Sequence, residues 1–483
     1  MHRSKRTWQL MLLAMIFLLI LTFFLPRGLT KISQPDSCGE GCSRYDIVVI
    51  GSEIQGVLLA REAQNLGRSV LILDPREKPG GELIQGQMLF LDEPMDQKRQ
   101  SLVQGEIKNL FDGYNKGRIR DLHEFQAYYD KLIQDVTLKS GITISGVEEA
   151  AAGKSHILKS LVYKDRNHQM YKVEAGYWVE NTDFNALTAK LKHKKRIPGM
   201  ESIEKSNSPD YMGATYMLNL KNVDWKELNK DVLKHYPLSN VQKVYGPNTY
   251  ADWNFAVGFS NVMAKYTPSE KLVRLRGLNM ANQGDGKVII NGLIMYNVDP
   301  SSDASVKEAL RKGEAEAPRI LGYLRTHLPG FEKAELNGFP SYLYIRDFNR
   351  FETEYVLKYE DVMGGKMFWD NVSIGAYPVD LQGTVHIPHG IGLGVPGPYG
   401  IPLRSFELKE YDNVLVVGKN IGADIKAYGS SRIMANNALA AQTIGIILGY
   451  ESDRKQLKEL TPEDFKRIHR YLKRRYHIDV EDV

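Results

Sequence analysis

The chain has 483 residues, 43% of them hydrophobic, a length and composition that fit two or three folded domains and exclude a disordered or fibrous protein. Lys and Arg number 63 against 58 Asp and Glu, a net charge of only +5 that sits partly at the two ends, so no broad basic surface for nucleic acid is expected. The two cysteines, Cys38 and Cys42, are too few for an iron–sulfur cluster or a zinc site in this chain.

The first element in chain order is apolar. Arg3, Lys5 and Arg6 precede a run from Trp8 to Leu25 that closes at Pro26-Arg27. A helix of that length reaches most of the way across a bilayer core of about 30 Å, and the excess of positive charge before it sets the amino terminus inside. Residues 1–27 are therefore read as a cytoplasmic start and a single transmembrane anchor, with the globular part outside the cell membrane. A cleaved signal peptide is the alternative, against which stands the lack of a small-x-small site after the run. Residues 28–43 read as a linker. Within it, Cys38 and Cys42 could close a small disulfide in an oxidising compartment or remain two free thiols.

The body begins at Tyr45. Asp46–Ile50 predicts a strand, Gly51–Gly56 a turn, Val57–Gly67 a helix and Ser69–Leu73 a second strand, which is βαβ order. Three further strands are predicted at Gly141–Val147, Ile157–Tyr163 and Tyr171–Val179. The chain then changes character: from about Asn185 to Pro402 it mixes strands (Leu272–Leu278, Lys287–Tyr296), a long helix (Ala304–His327) and loops rich in Gly, Pro and aromatic residues. An apolar strand at Asn413–Val417 and a helix at Ser431–Gly449 return to the first unit. The organisation expected is an α/β fold: a Rossmann-like nucleotide domain over 44–184, an inserted α+β substrate domain over 185–404, a return segment over 405–450 and a basic helical tail over 451–483. Thr461-Pro-Glu-Asp followed by Phe465, Ile468 and Leu472 reads as a capped amphipathic helix, docked with a solvated basic face or adhering to a membrane.

The turn carries the first chemistry. Gly51-Ser52-Glu53-Ile54-Gln55-Gly56 supplies the first and third glycines of the dinucleotide fingerprint, the first for the tight turn and the third for close helix–strand packing. Glu53 stands where the middle glycine lets backbone approach a pyrophosphate. A carboxylate facing that anion would be repelled, so Glu53 is expected to turn outward while the helix-start amides face the phosphates. Asp74, about 20 residues on, is placed to accept from ribose hydroxyls. At the other end, Gly418, Lys419, Ser431, Arg432 and Ile433 surround a glycine turn and a small-residue helix start, which could present amides and a positive dipole end to the electron-rich edge of a reduced flavin.

Taken together these segments resemble the FAD-dependent oxidoreductases related to the flavin subunit of heterodisulfide reductase. The resemblance runs over about residues 45–450 and rests on Tyr45–Gly51, Gly80-Gly81, Val179–Leu187, Tyr355–Met363, Ile374–Asp380, Tyr399–Arg404 and the Asn413–Gly449 return. It implies FAD held by the Gly51–Gly56 turn, Asp74, Gly80, Gly81 and the Lys419–Ile433 region, with the middle domain over the ring. Glu53 and Lys419 depart from it, since relatives often carry an acid at the latter place. Only one dinucleotide fingerprint is present, so the electron donor is expected to be an organic small-molecule substrate giving a hydride to flavin, and the acceptor quinone or oxygen. His386 and His389 are candidate bases, Tyr399 a donor and Arg404 an anion clamp, while Arg346 and Arg350 could hold a substrate carboxylate. Each could instead be a surface or structural residue. No metal site is expected. A non-catalytic binding protein on a flavoprotein scaffold and an NAD-dependent dehydrogenase are the alternatives.

Overall fold

The computed structural model describes residues 36–451 and 453–481; the apolar run Trp8–Leu25, with the anchor expected of it, lies outside them. Among the described residues no helix is long and apolar enough to cross a membrane. The linker ends in a hairpin of β1 (Asp36–Gly39) and β2 (Cys42–Ile50), closed by a Cys38–Cys42 disulfide, which resolves the open choice between a bridge and two thiols.

The second half of β2, from Ile47 on, is wholly buried and apolar, as a strand covered on both faces must be. It pairs in parallel with β3 (Val70–Asp74) on one side and β7 (Met170–Glu180) on the other; β3 in turn pairs in parallel with β4 (Thr137–Ser140). The expected meander is present: β5 (Thr143–Ala152) and β6 (Ser155–Lys164) run antiparallel into β7. The far edge of β7 is divided between two partners. Its start, Met170–Glu174, pairs with β6, and its end, Trp178–Glu180, pairs in parallel with the return strand Val414–Val416. The sheet has eight strands; five of them, β4, β3, β2, β7 and Val414–Val416, form the parallel core of the α/β fold expected, and β1, β5 and β6 are joined to it antiparallel.

Helix α1 (Ile54–Asn65) joins β2 to β3. Ten of its twelve residues are buried, so it lies inside the molecule. In the return segment a short helix that was not anticipated, α2 (Ile425–Ser431), capped by the Asp424 side chain on the Ala427 amide, precedes the helix expected at Ser431–Gly449, which is α3 (Met434–Glu451). Helix α3 packs on α1 with backbone almost touching, for a Cβ at Gly445 would collide with the Leu59 carbonyl. The tail helix Pro462–Tyr476 has the Thr461–Asp464 capping box and buries Phe465, Ile468 and Leu472 against this same core, which leaves it docked by its apolar face.

The middle of the chain builds a second, six-stranded antiparallel sheet from Ala214–Lys221, Tyr250–Ala251, Phe255–Gly258, Val273–Gly284, Lys287–Met295 and Glu335–Leu336. The long helix Asp303–His327 covers one face through Ala317, Ile320 and Leu324, giving a separate core. Residues such as Val372, Ile374, Tyr399 and Leu403, which follow that sheet in the chain, pack into the core of the first. Between the two cores runs a buried polar seam.

Candidate functional site

The seam begins where β2 ends. Gly51 turns at φ +100°, a left-handed conformation that an L side chain resists, and a Cβ there would also press on Asn181 and Thr182. Gly56 faces the Asn181 amide, which donates to the Glu53 carbonyl at 3.0 Å, so the third glycine makes room for β7 as well as for β2. The first amides of α1, at Ile54, Gln55 and Gly56, are buried and have no acceptor in the helix ladder, the usual condition of helix-start amides and one that an anion satisfies.

Glu53 does not turn outward. Its carboxylate is 4% exposed, accepts from the Arg76 guanidinium at 2.5 Å and the Glu82 amide at 3.0 Å, and lies on Gly81, where a Cβ would collide with it. The expectation failed because it weighed only repulsion from a phosphate and missed Arg76, two residues beyond Asp74. Asp74 is likewise engaged inside the protein, accepting from the Ser52 amide at 3.0 Å, the Ser52 hydroxyl, the Arg76 amide at 2.8 Å and the Arg76 side chain. Lys419 completes the cluster, donating to Glu82 at 2.6 Å, Asp183 at 3.4 Å and the Ile345 carbonyl at 2.6 Å, while the Tyr342 hydroxyl donates to Asp183 at 2.8 Å. Four carboxyls (Glu53, Asp74, Glu82, Asp183) face two cations (Arg76, Lys419), an excess of two negative charges if all are ionised. Burial pushes the Glu53 carboxyl up to about 7 despite Arg76. Burial opposes the charge on Lys419, but Glu82, Asp183 and Glu53 outweigh it and hold the ammonium protonated.

Tyr344 links this cluster to a second one of opposite sign. Lys419 Nζ lies 5.7 Å from its ring centre and the Arg346 guanidinium 4.5 Å, and its hydroxyl accepts from Arg432 at 3.1 Å. Arg276 and Arg346 both donate to Asn291 Oδ1, at 3.2 and 3.1 Å. Three arginines thus converge, with Nε of both Arg276 and Arg432 buried and without a partner. Burial, together with Arg276 and Arg432, pulls Arg346 down to about 9. Beside them the Tyr377 hydroxyl donates to Asp92 at 3.1 Å, and burial raises that carboxyl.

The remaining residues singled out in the sequence are dispersed. Arg350 is buried, but it is ion-paired with Asp347 and stacked 3.8 Å from the Tyr428 ring centre. Tyr399 is buried and exchanges a hydrogen bond with Ser430 at 2.8 Å, one residue from Ser431 and two from Arg432. Arg404 is held bidentately by Asp370 at 2.9 Å. His386 and His389 are exposed, and His389 contacts Arg274 at 2.8 Å. Gly80 and Gly81 both turn through positive φ beneath Glu53, and Gly418 (φ +66°) lies beside Asn181. Arg76, Glu82, Asp183, Arg276, Tyr344 and Asn291 were not anticipated. Arg276 had a signal: Arg274-Leu275-Arg276 alternates in a strand whose Leu275 enters the second core, so the arginines must take the opposite face.

Residues 46–472 match the family model described as FAD dependent oxidoreductase. No curated protein matches the chain. Among solved structures, similarity is found to a geranylgeranyl bacteriochlorophyll reductase-like protein from Thermoplasma acidophilum (11% identity, 90% of this chain and 85% of that one, TM-score 0.40). A flavoprotein/dehydrogenase from Cytophaga hutchinsonii (10%, 89% and 82%, 0.40) and the anhydrotetracycline hydroxylase OxyS from Streptomyces rimosus (11%, 88% and 65%, 0.36) are similar at the same level.

Proposed function

This chain belongs to the FAD dependent oxidoreductase family, an FAD-dependent oxidoreductase whose cofactor is FAD, and from that premise we propose that it oxidises a small anionic organic substrate. The observation that carries the substrate class is the convergence of Arg276, Arg346 and Arg432 on Asn291 and Tyr344, with two buried guanidinium nitrogens unpartnered. Guanidinium groups match a carboxylate in plane and charge; among the described residues only Arg432 of the three pairs with a carboxylate, Asp380 at 3.6 Å, so a further anion would offset the cost of holding the other two there.

The backbone of the βαβ unit fits the cofactor. The unpaired amides of Ile54, Gln55 and Gly56 suit a pyrophosphate, Asp74 would meet a ribose once it parts from Ser52 and Arg76, and Arg432, between α2 and α3, donates to Tyr344 of the second cluster. The cavity at Asp183 and Lys419 measures about 10 Å³, against the roughly 300–1,000 Å³ of a ligand pocket, so our reading requires the side chains there to move as the cofactor enters. Bound there, FAD supplies a two-electron, hydride-accepting ring. The protein's own part in the reaction is to orient the substrate anion through the three arginines. It also takes the proton released as a substrate hydroxyl or amine becomes a carbonyl or imine, for which Asp92, half-buried beside Tyr377 and near Arg432, is the base we assign.

Our reading further keeps the relationship to the heterodisulfide reductase flavin subunit, supported by the ordered motifs from Tyr45 to Gly449. It also keeps an anchored protein with its globular part outside the cell membrane. The apolar run Trp8–Leu25 and the Cys38–Cys42 bridge, a bond that persists in oxidising compartments, support it. Tethering would raise the local concentration of a membrane quinone as electron acceptor, with oxygen the other choice. The test is to mix the flavin-loaded protein anaerobically with 2-hydroxy or 2-amino carboxylates and with the matching neutral alcohols or amines. Bleaching of the flavin by the carboxylates, lost in Arg346→Met, supports the reading. Equal bleaching by the neutral compounds, or none by any, rejects it.

A further inference from the structure

We propose that Glu53 is a built-in competitor for the cofactor's pyrophosphate, so that FAD binds by displacing it from Arg76 and the Glu82 amide. The inference deepens the FAD reading above and rests on it. Glu53 occupies the middle position of the fingerprint, between Gly51 and Gly56, where backbone and phosphate ordinarily meet. In this chain the position carries an anion of its own, with what a phosphate oxygen would seek: a guanidinium at 2.5 Å, a backbone amide at 3.0 Å and a glycine, Gly81, that lets the oxygens come close. The carboxylate is 4% exposed, so no solvent screens it from a second anion in the same place. Its surroundings hold three more carboxyls and two cations, already in negative excess, and a pyrophosphate added with Glu53 in position would enlarge that excess. Removing Glu53 leaves Arg76 paired with Asp74 yet open to a phosphate, and uncovers Gly81 beside the unpaired amides that open α1.

The experiment compares the wild-type chain, stripped of flavin, with Glu53→Gly and Glu53→Gln. Binding of FAD, ADP and riboflavin is followed by flavin and protein fluorescence, and folding is checked by thermal denaturation. The expected result is FAD and ADP affinity raised about tenfold or more in both variants, with riboflavin, which has no phosphate, unmoved. If Glu53→Gly does not fold, Glu53→Gln, which keeps the shape and removes the charge, carries the test. Unchanged or weaker FAD binding in the variants overturns the proposal and leaves the FAD reading intact as long as the wild type binds. An equal gain for riboflavin overturns it too, by showing general loosening rather than a freed phosphate place. Failure of all three proteins to take up FAD overturns both.

Discussion

Arg276 and Arg346 donate to the same oxygen, Asn291 Oδ1, at 3.2 and 3.1 Å, two like charges held together by one neutral acceptor. Thr215 donates to that oxygen as well, at 3.2 Å, so the Asn291 carbonyl is saturated. Replacing Asn291 by Leu keeps the volume and deletes the acceptor. Leaving charged donors buried and unpaired costs about 2–4 kcal/mol, so urea unfolding of Asn291→Leu should show a loss of that size. Adding a bound carboxylate should restore part of it in our account.

Stability should also depend on pH through Glu53. Its folded value of about 7 lies above the ordinary carboxyl value, so the folded state binds the proton more tightly than the unfolded one. The stability it contributes is full below about pH 4.5 and is lost as pH rises through about 7. Arg76 and Lys419 oppose the shift, and Asp183 and Glu82 add to it. Flavin-free wild-type protein should therefore lose stability between pH 5 and 8 relative to Glu53→Gln, measured by urea denaturation across that range; parallel profiles would contradict the assignment.

The contact of α1 with α3 sets the position of the fingerprint turn. Gly445 meets backbone, the Leu59 carbonyl and Cα, which cannot step aside as a flexible side chain could. Gly445→Ala should cost about 1–3 kcal/mol by overpacking, and Gly322→Ala, in a helix with open space around the glycine, should cost nothing and gain some helix propensity. Thermal denaturation of the two variants checks the contrast.

How far the sequence reached depends on whether a feature is local. The βαβ unit, the meander, the long helix and the capped tail were legible because period and capping are written within a dozen residues. The return helix was placed to within three residues, but α2 before it was missed, since its seven residues are too few to show a period. The site was legible in its backbone and not in its charges. Glu53 was seen as an anomaly, but its inward turn depends on Arg76 and the Glu82 amide, and Lys419 on Asp183, a partner 236 residues away. Histidines read from the loop at 377–404 proved exposed, whereas Arg276, in a strand far from any motif, joins Arg346 and Arg432.

The disulfide makes a further statement about the chain as it exists in the cell. Protein alkylated on lysis without reductant should carry no adduct at Cys38 or Cys42 and gain two after reduction, read by intact mass. Adducts before reduction would argue against an oxidising compartment.

The central claim is that this chain uses FAD in spite of the charge cluster across its cleft. Purified protein, as isolated and after incubation with excess FAD, should be heat-denatured and the supernatant chromatographed. FAD approaching one per chain after incubation is the result we expect; FMN alone, or no flavin from either preparation, would contradict the account.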